Sequence, residues 1–481
     1  MALGIGPNGI VRQDKDGEIS LLRVGRNDGI ITEAEVPVEF ADAYRLAPGD
    51  IVEGEFEPLR DWTDMSGASD VSDTSDVETQ PDWDSQPDPG NARYHVRDSS
   101  PRVKTRRPRE RLLTVRSING LDLEEAEERP SARTKRSQSE RTPPDRLLTI
   151  ADGPDDESGR LIDFAAPLGA GVFGIVYGPH GAGLTWTLQS ALRGISKNAP
   201  DAVLIALLLR PRAEEATEWR RRVPDADVIV GRSSIGEPGP SQTLEICALV
   251  LESAQRMTEL GRDVVLVVDS LTALWAALLE VEEADAQFEA DNSSARNRIR
   301  EWTQKAGCFH GQAPLGGGCG GSLTILGSIW NQAIDIEAEE ERDTHPHLRL
   351  LEHVLPEAAW IVALSETLKQ SRFFPAVNID KSRSQYEERI LPLEITEPLF
   401  KARGYLPRKD PVQSYLRVIR AIERSRDTAG LIEALDVRAE AVDSVPEEAS
   451  AGTAFFGSRP RSSQRMTRQE FLRALDNSSA E

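Results

Sequence analysis

Residues Gly178 to Thr185 read GPHGAGLT, directly after the apolar run FGIVYG and directly before the amphipathic stretch TWTLQSALRGISK. Strand, glycine-rich turn and helix in that order are the setting of a phosphate-binding loop. Gly178, Gly181 and Gly183 let the backbone turn tightly. With Pro179 shaping the turn, they and His180 and Ala182 line up N–H groups that, with the helix N-terminus, can cradle phosphate oxygens. Thr185 offers a hydroxyl to Mg²⁺. The pattern requires a lysine before that threonine to carry charge to the terminal phosphates. Here the position is Leu184, which brings neither charge nor hydrogen bond. Arg210, after the next apolar run, is a candidate source of the missing charge. The second half of such a site is DVVLVVDS, an apolar strand ending in Asp269, whose carboxylate can orient Mg²⁺ and its waters. Either motif alone has an ordinary structural reading, as a turn or as a helix cap. Together and in order they point to a phosphate loop, with Asp269 expected on a strand neighbouring the loop strand.

The elements that must position these residues are legible as alternating runs. AVLIALLL (202–209), ADVIVG, SLTILGSIW (322–330) and AAWIVALS (358–365) read as buried strands. AEEATEWRRRV and SQTLEICALVLESAQRMTELG read as helices between them. Continuous apolar strands alternating with helices predict an α/β fold with a mostly parallel sheet covered on both faces. Ahead of this, GIVRQ, EISLLRV, GIITEAEV, GDIVEGEFEP and RLLTVRSING predict a small antiparallel barrel. The organisation expected is a barrel over 1–120 that contains an acidic disordered insert at 60–107, a linker over 121–150, a phosphate-loop domain over 151–440, and a polar tail over 441–481 with one short helix at TRQEFLRALD.

Composition narrows the partners. Among 481 residues, Asp and Glu outnumber Lys and Arg 80 to 57, a formal net charge of -23, so any nucleic-acid site must be a local patch rather than a global coat. The three cysteines, Cys247, Cys308 and Cys319, form no CxxC pair, which argues against a zinc ribbon or disulfide framework. His345, His347 and His353 are too widely spaced to suggest a metal site. No apolar run approaches membrane-spanning length, and a cytoplasmic protein without a membrane partner is expected.

The order of motifs resembles transcription termination factor Rho. The resemblance runs through RLIDFAAPLGAGVFGIVYGPHGAGLTWTLQSA, LIALLLRPRAEEATEW, GRDVVLVVDSLTALWAA, GGSLTILGS, FFPAVNIDKSRSQYEERIL and LRVIRAIERSRDTAGLIEALD. GIVRQDKDGEISLLR, LAPGDIVEGEFEP and LLTVRSING extend it to that family's RNA-binding barrel. The resemblance implies a RecA-like motor domain with a parallel sheet, preceded by a cold-shock or OB-type barrel. It further implies a homo-hexameric ring, ATP and Mg²⁺ as cofactors, single-stranded RNA as substrate, RNA polymerase as a further partner, and ATP-dependent RNA helicase activity that ends transcription.

Carried over position by position, the family's nucleotide site falls on Gly178, Pro179, His180, Gly181, Ala182, Gly183, Leu184 and Thr185, with Thr185 and Asp269 holding Mg²⁺. The general-base glutamate falls on Pro211, with Glu214 and Glu215 nearby. The arginine finger falls on Lys381, close to Arg383, and a second interface arginine on Glu366. In the barrel, the stacking aromatics fall on Glu18 to Leu22 and on Ile30 and Ile31, none of them a ring, whereas Arg23 is retained. RNA contacts are expected from Arg12, Arg23, Arg26 and the basic run Lys104–Arg111. The central RNA-gripping loops are replaced by the acidic run LEVEEADAQFEADNSS, which opposes a phosphate backbone. Two readings follow. One is a divergent Rho-type ring protein in transcription termination whose ATP hydrolysis is weak or lost. The other is a non-catalytic scaffold or regulator that keeps the fold and modulates a genuine Rho, by co-assembly with it, or another partner.

Overall fold

The computed structural model describes residues 8–14, 17–24, 31–59, 110–128, 141–232, 239–284, 293–309, 321–330, 346–408 and 410–443. The whole acidic insert at 60–107, the acidic run after 284 and the tail after 443 lie outside the described residues, as do Arg26, the larger part of the basic run before Arg111, and TRQEFLRALD. Met1–Asp436 forms one compact unit and Val437–Glu481 a second.

Five strands close the N-terminal barrel in the order β1-β2-β3-β5-β4: β1 Gly9–Gln13, β2 Ile19–Val24, β3 Ile31–Glu35, β4 Ile51–Pro58 and β5 Glu110–Ile118. β5 follows the insert in sequence and pairs antiparallel with β4 and parallel with β3. Successive side chains alternate between faces. Val11, Leu21, Ala34, Val52, Leu112 and Ile118 fill the interior. On the opposite face, Ile10, Leu22 and Ile51 are 1%, 7% and 3% exposed and join the core of the main sheet. Burying each contributes roughly 1.5–3 kcal/mol. The wall they form lies on the helix Pro240–Glu259, where Ser253 Oγ donates to the Gly49 carbonyl at 2.8 Å and Arg256 Nε to the Pro48 carbonyl at 3.2 Å.

The stretch expected to be a linker contributes structure. Leu123–Glu128 is helical, and its Ala126 enters the barrel core. Arg141–Thr142 is a short strand, β6. The Asp163 carboxylate accepts the Ile150 and Ala151 N–H groups at 3.0 and 2.9 Å, tying the end of the stretch to the helix Glu157–Ala165. Leu123 and Ala126 lie three apart on one helix face, which gives this charged segment its apolar anchor.

After the small pair β7 Leu147–Leu148 and β8 Leu168–Gly169 comes the main sheet. Its strands are β9 Phe173–Gly178, β10 Val203–Leu209, β11 Asp227–Arg232, β12 Val264–Asp269, β13 Gly307–Phe309, β14 Ser322–Trp330, β15 Trp360–Leu364 and β16 Val377–Ser384. They run in the order β11-β10-β12-β14-β9-β15-β16, with β13 on β14 and β6 on β13. All neighbours from β11 through β15 are parallel, and β16 returns antiparallel on β15. Every residue of β10 and every apolar residue of β12 is buried, as a sheet covered on both faces requires. Among the described residues no helix is long and apolar enough to cross a membrane.

Candidate functional site

The loop at 178–185 passes from β9 into the helix Leu184–Asn198. A Cβ on Gly178 would lie 2.6 Å from Leu364 Cβ, so only glycine lets β9 end against β15. Gly183 caps the helix at φ +108°, a conformation open to glycine, and a Cβ there would meet the Phe374 ring at 3.0 Å. Thr187 Oγ1 donates to the Gly183 carbonyl at 2.9 Å, and the Ala376 N–H donates to the Ala182 carbonyl at 3.1 Å. The first N–H groups of the helix, lacking intrahelical acceptors, face this turn and carry the positive end of its dipole.

Asp269 ends β12, but β14 stands between β12 and β9, so it lies one strand further from the loop than expected. The gap is bridged from both sides. Ser328 Oγ on β14 donates to Asp269 Oδ1 at 2.6 Å, and the Thr185 hydroxyl lies close enough to favour the charged form of this carboxylate. Burial raises the Asp269 pKa above the usual carboxylate range. Ser328 and Thr185 oppose that shift, and the nearby Glu215 charge adds to it. The structure therefore brings together the oxygens of Thr185 and Asp269, the donor set that a hard cation such as Mg²⁺ takes.

Of the remaining predicted positions, Leu184 and His180 belong to the loop, Glu215 acts on Asp269 through its charge, and each makes the contacts that follow. Leu184 is the first helical residue and is partly buried. Arg210, the expected source of charge, pairs instead with Glu280 at 3.6 Å on the helix Leu271–Ala284. Pro211 is buried. Glu215 accepts the Arg212 N–H at 2.9 Å as a helix cap, and Glu214 is exposed. β16 begins beside the loop and runs away from it, leaving Lys381 exposed, with its backbone N–H donating to Asn378 Oδ1 at 3.1 Å. Glu366 pairs with Lys369, each carboxylate oxygen 3.1 Å from Nζ. His180 is exposed at the tip of the turn, its ring 5.9 Å from that of Trp330.

Three neighbours of the loop were not singled out by sequence reasoning. Lys369 places its Cε 3.9 Å from where a Gly181 Cβ would be. Phe374, 47% exposed, stands beside Gly183 and meets Trp186 edge-on at 5.4 Å. Arg222 lies over the Trp186 ring at 3.4 Å. Lys369 and Phe374 come from the connection between β15 and β16 and Arg222 from the helix Ala213–Arg222, all far from the loop in sequence.

The barrel positions carry a different chemistry. Leu21 fills the barrel core and Leu22 the contact with the main sheet, so these two of the expected stacking positions are structural, and Ile30 lies outside the described residues. Arg12 reaches Glu33 at 3.3 Å and Glu245 at 2.5 Å, the latter on the helix Pro240–Glu259. Arg23 is ion-paired with Glu110 and lies over the Phe56 ring at 4.1 Å. Arg111 pairs with Glu35 at 2.9 Å and Arg116 with Glu55 at 2.5 Å. Among the described residues, the arginines expected to meet RNA, Arg12, Arg23 and Arg111, are thus paired with carboxylates.

Residues 159–384 match the family model for the ATP synthase alpha/beta family, nucleotide-binding domain. The chain is 28% identical over 331 residues to transcription termination factor Rho of Rhodopirellula baltica, covering 66% of this chain and 58% of that protein. It is 29% identical over 334 residues to Rho of Aquifex aeolicus, covering 68% and 70%. To Rho of Bacillus subtilis it is 30% identical over 317 residues, covering 62% and 66%. The matched part therefore spans between just over half and about two thirds of these relatives. A RecA-type nucleotide-binding sheet behind a five-stranded OB-type barrel, joined to these matches, makes the chain a divergent relative of the transcription termination factor Rho family.

Proposed function

We propose that the protein is a Rho-type ring protein of transcription termination that binds nucleotide at Gly178–Thr185 and hydrolyses it weakly or not at all. The observation that carries this reading is a loop that keeps its glycine geometry, with Thr185 placed to act on Asp269, while Leu184 and Pro211 occupy the lysine and base positions. The loop N–H groups and the helix dipole hold the phosphates. Thr185 and Asp269 hold Mg²⁺, which neutralises phosphate charge when bound. Phe374 offers the base an aromatic face. Leu184 adds no cation, and Pro211 cannot accept a proton from water. Removing a single preorganised electrostatic donor costs about 10²–10³-fold in turnover, so losing two such groups separates binding from hydrolysis.

A second reading, a scaffold that co-assembles with a catalytically intact Rho, is favoured by the barrel. Arg12 and Arg23 are paired with Glu33, Glu245 and Glu110, which leaves this barrel poorly disposed toward a phosphodiester chain. Steady-state ATP turnover with and without single-stranded RNA, on the protein alone and mixed with a catalytically intact Rho, separates the readings. Weak RNA-dependent turnover by the protein alone supports the first. A change in the partner's turnover, with none from the protein alone, supports the second.

A further inference from the structure

Leu184 leaves a nucleotide's phosphate chain without its customary cation, and the fold brings another to the same turn. Lys369 sits in the short helix Glu366–Gln370, between β15 and β16. That connection is clamped to the phosphate loop at both ends. Leu364, just before it, packs on Gly178, and Ala376, just after it, donates its N–H to the Ala182 carbonyl at 3.1 Å. Within it, Leu368 is fully buried and anchors the helix, and the Ser365 N–H closes the turn on the Ala376 carbonyl at 2.8 Å. Lys369 is thereby held with Cε 3.9 Å from the Cβ position of Gly181, at the crown of the loop. Gly181 has no side chain to screen it. The ammonium is 3.1 Å from both oxygens of Glu366, and the two side chains are 36% and 26% exposed, so the pair stays accessible to solvent.

We infer that Lys369 supplies in cis the phosphate-binding cation that Leu184 cannot, with Glu366 as the counter-charge it exchanges for the nucleotide's phosphates. The inference rests on the nucleotide-binding reading above. The chemistry is direct. Lysine is a compact ammonium on a flexible stem, suited to a phosphate as a point charge. A partly exposed pair within one helical turn is worth little, so a multiply charged phosphate chain displaces Glu366 readily. Arg210 faces Glu280 on the helix Leu271–Ala284 at 3.6 Å, and Lys381 lies on the strand leading away from the loop.

The test is equilibrium binding of fluorescent ADP and ATP, with Mg²⁺, to the full-length protein and to three variants. Lys369→Met should weaken nucleotide binding about tenfold, the loss of one charge-assisted bond. Glu366→Gln frees the ammonium and should tighten binding by about two- to threefold. Adding Leu184→Lys to Lys369→Met should restore the lost affinity. Thermal melting of each variant should stay near wild type, since the pair is exposed and lies within one helical turn. A merely structural role for the pair would instead make both single variants lose stability and affinity together. Nucleotide bound equally well by wild type and Lys369→Met would overturn this inference and leave the nucleotide-binding reading standing. Failure of the wild-type protein to bind either nucleotide would overturn both.

Discussion

The phosphate loop and the barrel have departed from the same family in opposite ways. At the loop the backbone device is whole: Gly178 and Gly183 hold their tight positions, and Thr185 and Ser328 converge on Asp269. In the reading proposed above, what it lacks is side chains that carry charge or accept a proton, at Leu184 and Pro211. In the barrel the backbone is also whole, closed by β5 across the insert, but the recognition positions have been given other work. Leu21 and Leu22 are packing residues, and Arg12 and Arg23 are ion-paired. The first kind of loss is a deletion from an intact site. The second is a replacement, which no single substitution reverses without cost elsewhere.

That contrast can be broken most forcefully at the loop. Leu184→Lys combined with Pro211→Glu should raise ATP turnover by about 10²-fold or more, because each restores a group that acts in the transition state. A steady-state phosphate-release assay reads it, and no gain would mean that the loop geometry is not catalytically sound. The matching attempt in the barrel should fail. Leu22→Phe puts a ring back, but into the tightly buried contact with the helix Pro240–Glu259, and overpacking should cost about 1–3 kcal/mol of stability with no gain in RNA affinity. Chemical denaturation paired with RNA anisotropy reads both outcomes. If the ring improves RNA binding, Leu22 is not a packing position.

A smaller effect is expected from uncovering the barrel's arginines. Changing Glu35, Glu55 and Glu110 together to glutamine frees Arg111, Arg116 and Arg23 and removes three negative charges. RNA affinity should rise and the dependence of log K on log salt should steepen, as more phosphates are neutralised. A salt titration checks this, and an unchanged slope would place the RNA contacts elsewhere. The smallest expected effect concerns Asp163. Burial raises its pKa to about 7, outweighing the N–H bonds from Ala151 and Ile150. Against an unfolded value near ~4, the folded state holds this proton more tightly, so the contribution to stability is complete below pH ~4 and is lost as pH rises through about 7. The melting temperature of wild type relative to Asp163→Asn should therefore fall from acid to neutral pH.

What could be read from the sequence divides along the same line. The runs at β9, β10, β12 and β14 were legible because strands buried on both faces are continuously apolar. The loop was legible because its glycines are spaced by backbone geometry within eight residues. The place of Asp269 was only half legible: its strand end was, but the interposed β14 depends on strand order, which is a long-range property. Partners of charged residues were not legible at all. Nothing near Arg12 in sequence announces Glu245, nothing near Arg210 announces Glu280, and nothing near Gly181 announces Lys369. The charged segment before Glu128 read as linker because its two apolar anchors, Leu123 and Ala126, are sparse, and only the barrel wall gives them a surface.

The central claim, that this loop retains nucleotide binding while its hydrolytic groups are lost, is tested most directly by measuring ATP binding calorimetrically and ATP turnover on the same full-length preparation, with and without Mg²⁺ and single-stranded RNA. The account predicts Mg²⁺-dependent binding with turnover at least ~10²-fold below that of a catalytically intact Rho, whether or not RNA is present. Turnover equal to that of an intact Rho, or no ATP bound at all, would contradict it.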